Sequence, residues 1–191
     1  MDATPLAGWD NFYVIVGSAA GGLTGLTFVV IALVRDASRV NPVGLQAFVS
    51  PTMVHFGGVL ALAAYMSMPH QHIATLSAGF LVGGVAGVIY GVRTAVLLRR
   101  AGSGRYTPVR EDWVWNVILP SLSYAALACL AVLIWHRPEQ SLFGVAALAL
   151  LLLFIGIRNA WDIAVWMTTQ KGTEGAPPKQ DLTGPPGAAQ G

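Results

Sequence analysis

The chain is poor in charge. Lys, Arg, Asp and Glu make up only 10% of its 191 residues, against about 25% in an ordinary soluble domain. It carries one cysteine, Cys129, so no intrachain disulfide and no cysteine-cluster metal site can form. No Asp or Glu falls deep inside an apolar run. That removes the acid which Ser121, Ser123 and His55 would need for hydrolase chemistry. The start of the chain has no basic residue either: residues 1–11 hold two acids and no Lys or Arg. A cleaved secretory signal needs a basic start and a short apolar core. Here the first apolar run, Phe12–Val34, is 23 residues long, enough to span a bilayer. The Gly-Ser-Gly at 102–104 lacks the Gly-Lys-Ser/Thr ending of a phosphate loop.

What is abundant is apolar residues, 54% of the chain, and glycine, of which there are 22. In SAGFLVGGVAGVIYGV, Gly79, Gly83, Gly87 and Gly91 recur every fourth residue. On a helix they form one slowly drifting stripe about 18 Å long. Each glycine would weaken a helix in water by roughly 1 kcal/mol relative to Ala. In a bilayer the backbone has no water to bond, so the helix persists. The bare stripe then admits a close neighbour. Gly17, Gly21 and Gly25 repeat the device, and Ser18 with Gly22 adds an adjoining pair. Two such stripes in one chain are expected to pack helices within the protomer, with packing between protomers as the alternative.

The expected fold class is therefore all-α, a polytopic bundle of five transmembrane helices at about 12–34, 45–66, 73–92, 113–135 and 142–161. They form one membrane domain over 12–170, after a short N-terminal segment, 1–11. The tail, 171–191, is rich in Pro and Gly and is expected to be disordered. Of the eleven Lys and Arg, only Arg137 falls on the side of the N-terminus, and the other ten fall opposite. The positive-inside rule then puts the N-terminus outside and the C-terminus in the cytoplasm. Arg outnumbers Lys nine to two, which with the abundant Ala and Gly hints at a GC-rich bacterial genome.

The segments WDNFYVIVGSAAGGLTGLTFVVIAL, AFVSPTMVHF and IRNAWDIAVW resemble those of small bacterial integral membrane proteins to which no activity is attached. The likeness covers the membrane part and excludes the tail. It implies a bacterial inner-membrane location and brings no cofactor and no functional residue.

Three sets of residues are candidates for chemistry. His55 lies mid-span with Thr52 and Pro51 on its face, and an ionisable group at that depth is a functional hypothesis by default. The favoured alternative is a neutral imidazole bonded to Thr52, to the Ala47 carbonyl freed by Pro51, or to the Asn116, Ser123 and Tyr124 face of the fourth span. Arg158 and Asp162, four residues apart, read as an internal helix pair with Arg158 reaching toward headgroups. Met66, Met68, His70 and His72, with His136 on the same side, offer soft ligands suited to copper. Met at a span end is also ordinary filler, so no metal and no cofactor is expected. Arg93, Arg99, Arg100 and Arg105 fit anionic headgroups; nucleic-acid binding is not expected.

No enzyme is expected. The preferred function is an accessory, scaffold or regulatory membrane subunit, partnered by a second copy or another membrane protein. The alternative is a small transporter or channel with a polar path around His55, and the third is extracytoplasmic copper handling.

Overall fold

The computed structural model describes Leu6 and residues 8–37, 42–101 and 110–174. Arg39, Arg105 and the tail beyond Glu174 lie outside the described residues, as do residues 1–5. The described chain is all-helical and has five helices. α1 is Asp10–Ala37, α2 is Pro42–Met66 and α3 is Ile73–Ala101. α4 is composite: a turn Arg110–Trp113, a π-helical turn Val114–Ile118, and Leu119–Leu133. α5 is Pro138–Glu174.

Four of these, α1, α3, α4 and α5, are long and apolar enough to cross a membrane. α2 is 25 residues long, and its described apolar stretch is Pro51–Met66. The helices overrun the apolar runs that predict them. α3 continues nine residues past Val92, through Arg93, Arg99 and Arg100. α5 continues through Glu174, four residues into the segment read as tail. Once a span has nucleated a helix, each added residue gains one backbone bond, and basic residues suit a helix C-terminus.

The turns are locally determined. After α2, His70 takes a left-handed conformation (φ 57°), which reverses the chain. The Gln71 side chain donates from Nε2 to the Tyr65 carbonyl at 2.8 Å, closing the α2 terminus. Thr75 Oγ1 accepts the His72 amide at 3.0 Å, satisfying an otherwise unpaired donor at the start of α3. Pro138 starts α5 at a position where a missing N–H costs nothing, and Glu139 in the first turn suits its dipole.

The spatial order of the helices is not their chain order. α1 packs on α2, α2 on α5, α5 on α4 and α4 on α3, while α2 and α3 barely meet. Each contact is set by a small residue. A Cβ on Gly17 of α1 would lie 2.9 Å from Ala63 of α2. Phe56 of α2 fills the space over Gly156 of α5, and Leu130 of α4 fills that over Gly144. A Cβ on Gly84 of α3 would come within 2.6 Å of the Ala128 backbone nitrogen in α4. The two glycine stripes do not pack on each other. α1 and α3 lie apart, and each stripe has its own partner.

Two layers of core follow. One gathers Leu6, Tyr13, Met66, Leu76, Ile134 and Leu142 at the end that carries the start of α1 and the 67–72 and 134–137 turns. Trp9 and Phe143, with ring centroids 4.8 Å apart, cover it. The other lies deeper and contains Val16, Val59, Tyr124, Ala149, Leu152 and Ile155.

Candidate functional site

The sparse contact between α2 and α3 leaves a lateral groove of about 370 Å³. Its α2 wall is formed by Val54, Gly58, Ala61 and Tyr65, and its α3 wall by Gly79, Gly83, Ala86 and Tyr90. Tyr124 and Leu127 of α4, with Leu152 of α5, close the floor. The lining is overwhelmingly apolar.

The drift of the glycine stripe explains this geometry. A period of four advances 40° per step on a helix of 3.6 residues per turn. From Gly79 to Gly91 the stripe therefore turns by about 120°. Gly79 and Gly83 face the groove, where Gly79 lies under the Tyr65 ring and Gly83 has only an ordinary contact with Leu127 at 3.6 Å. Gly87 still lines the groove but lies against the Tyr124 ring of its floor, and Gly91 faces Ser121 of α4. The tightest backbone approach belongs to Gly84, outside the period-four series. On α1 the same series fades: Gly21 has an ordinary contact with Leu60 at 3.8 Å, and Gly25 and Gly22 meet nothing within 4 Å.

His55 stands behind the groove, fully buried. Its Nδ1 and the Tyr124 hydroxyl lie 3.3 Å apart and share a hydrogen bond. Tyr90 meets the imidazole edge-on, centroids 6.5 Å apart. His55 Nε2 is buried with no hydrogen-bond partner among the described residues. Thr52 is buried one turn away. Ser123 is buried too, but its hydroxyl donates to the Leu119 carbonyl of its own helix at 2.9 Å. Asn116 sits on the π turn, about 12 Å along α4 from Tyr124 by helical rise. The structure therefore joins His55 to Tyr124 and Tyr90, and leaves Asn116 nearer the other end of the bundle.

That end carries the charge. Arg158 pairs with Asp162 on its own helix, and its guanidinium lies 3.9 Å from Glu111. It also stands over the Trp115 ring, 5.6 Å from its centre, and Arg99 stands likewise over Trp113 at 5.7 Å. Cation–π contact of this kind holds a guanidinium beside an interfacial ring. Glu111 was not singled out in the sequence, because Arg158, the residue it faces here, is 47 positions away.

The soft-ligand series is dispersed by its turn. Met66 is buried in the core, while Met68, His70, His72 and His136 are exposed. Among the described residues no three His, Cys, Asp or Glu side chains group to hold a metal ion.

Compared with protein-family models, curated proteins and solved structures, the chain matches none.

Proposed function

We propose that the chain is a non-enzymatic integral membrane protein: an accessory, scaffold or regulatory subunit of a bacterial inner-membrane complex. In this reading five helices span the bilayer, with the N-terminus outside and the C-terminus in the cytoplasm. The arginines of the α3–α4 end sit among anionic headgroups.

The observation that carries this reading is the outer face of α1. Ser18, Gly22 and Gly25 lie exposed there, and a Cβ at either glycine would meet nothing. Glycines toward lipid gain nothing for the protomer, whereas a bare stripe lets a second helix approach closely. α1 is also the least enclosed of the four long apolar helices, with 17% of its most apolar window buried. A transport role asks instead for a polar path past His55, and the groove beside His55 is apolar. Copper handling asks for Met66, which the core already uses.

The test is extraction into polymer discs followed by native mass spectrometry, with Gly22→Leu as the variant. The reading expects a second polypeptide that co-isolates with the wild type and is lost, by tenfold or more, from the variant. A wild type that comes out alone refutes it, and one that comes out only as its own multimer moves the stripe to self-association.

A further inference from the structure

Three buried side-chain atoms have no hydrogen-bond partner among the described residues: the Tyr13 hydroxyl, His55 Nε2 and Asn159 Nδ2. The last two belong to one place. Phe56 of α2 fills the space over Gly156 of α5, which sets the two helices level there. α2 runs toward the end with the 67–72 turn, and α5 runs away from it. One step back along α2 and three steps on along α5 therefore lead the same way, to His55 and Asn159. On this register their Cα atoms differ in level by about 3 Å. Helical side chains lean toward their own N-terminus, so these two lean toward each other. The faces agree as well. Asn159 follows Leu152 by seven residues, within about 20° of it around α5. Leu152 and Ile155 share a core layer with Val59 and Tyr124, and Tyr124 is the partner of His55. Asn159 is 5% exposed and His55 0%.

We propose that α2 and α5 enclose a water-binding site here, in which one water molecule joins His55 Nε2 to Asn159 Nδ2. Burial without a partner is costly for each nitrogen, and the two do not bond each other. Two hydrogen bonds of about 2.9 Å let one water link atoms up to about 6 Å apart. Water also suits the pair chemically. Asn159 Nδ2 only donates, so its partner must accept. His55 Nε2 donates or accepts according to the tautomer that the Tyr124 bond selects. Water accepts from the first and meets either form of the second. An amide N–H₂ offers a metal cation no lone pair. An anion would need a cation beside it, and the neighbouring Arg158 is paired with Asp162 and Glu111. The site lies next to the charged end, where Arg158 is partly exposed, so water enters from that side. In the other direction the core layers are apolar.

Water-edited solid-state NMR tests this on the full-length protein in bilayer discs, labelled with ¹⁵N histidine and ¹⁵N asparagine. His70, His72 and His136 are exposed and set the hydrated rate. The His55 ring and the Asn159 side-chain amide should each receive water polarisation within fivefold of that rate. Slower transfer to either group overturns the proposal, and so does a coupling that joins the two nitrogens directly. Asn159→Leu fills the site and removes one partner of the water. It should slow transfer to His55 at least fivefold, leaving the three exposed histidines and the His55–Tyr124 bond unchanged. A smaller effect on His55 in the folded variant overturns the proposal too. Should that variant fail to fold, the wild-type rates decide alone.

Discussion

Gly84 and Gly25 are chemically identical and structurally opposite. A methyl group at Gly84 meets the Ala128 backbone nitrogen, the Ala128 Cβ and the Tyr124 carbonyl, all inside 3.0 Å. None of these is the end of a flexible side chain, so α3 and α4 must separate. Gly84→Ala is expected to destabilise the fold by about 1–3 kcal/mol, the usual cost of overpacking. Gly25→Ala meets open space and is expected to leave stability unchanged or raise it by up to about 1 kcal/mol through helix propensity. Thermal midpoints of the two variants in one detergent check the contrast. Tyr124 makes a second test at this scale. Its ring covers Gly87 and its hydroxyl bonds His55. Tyr124→Phe removes only the hydrogen bond, about 1 kcal/mol, whereas Tyr124→Ala also empties the ring site, about 3–5 kcal/mol. Equal losses in the same melting assay would mean that the ring carries no packing.

α4 shows how one residue reshapes an element. Pro120 has no N–H to offer the Asn116 carbonyl, and its ring crowds that oxygen. The helix responds in the turn just before it. Leu119 donates its amide to the Val114 carbonyl, five residues back rather than four, and the widened turn absorbs the crowding. The extra residue sets the rotation of everything N-terminal to it, including Trp113 and Trp115, the rings on which Arg99 and Arg158 stand. Pro120→Ala is expected to restore a regular α-helix and turn Trp115 by about 100° away from Arg158. With Cys129→Ala as background, a Trp115→Cys, Arg158→Cys pair should be bridged efficiently by a short bis-maleimide. Adding Pro120→Ala should lower the yield severalfold, and an unchanged yield would show that proline does not set the register. Pro51 produces no such break, and α2 continues helically through it.

For the molecule as a whole, the consequence of the α1–α2–α5–α4–α3 order is that consecutive helices need not be neighbours. The short 67–72 turn joins α2 to α3, yet the two diverge and leave the groove between them. The same order puts charged residues of α3, α4 and α5 at one end, around Arg99, Glu111 and Arg158. If that end lies in the cytoplasm, a membrane-impermeant maleimide should label Arg137→Cys on intact cells. Arg100→Cys should label only after permeabilisation, again with Cys129→Ala as background. The reverse pattern would invert the orientation and leave the bundle itself unchanged.

The all-helical class and the number of helices among the described residues were legible in the sequence, because both depend on local quantities. Run length, polar turns and the absence of buried charge each report on a short stretch of chain. The ends of α3 and α5 were missed, since a helix need not stop where its apolar run does. The pairing of helices was not legible at all. Lipid tails are as apolar as leucine, so hydrophobic patterning cannot separate a face turned to a neighbour from one turned to the bilayer. Only backbone approach in three dimensions makes Gly84 a contact and Gly25 open space, gives His55 its bond to Tyr124, and opens a groove between two helices adjacent in the chain.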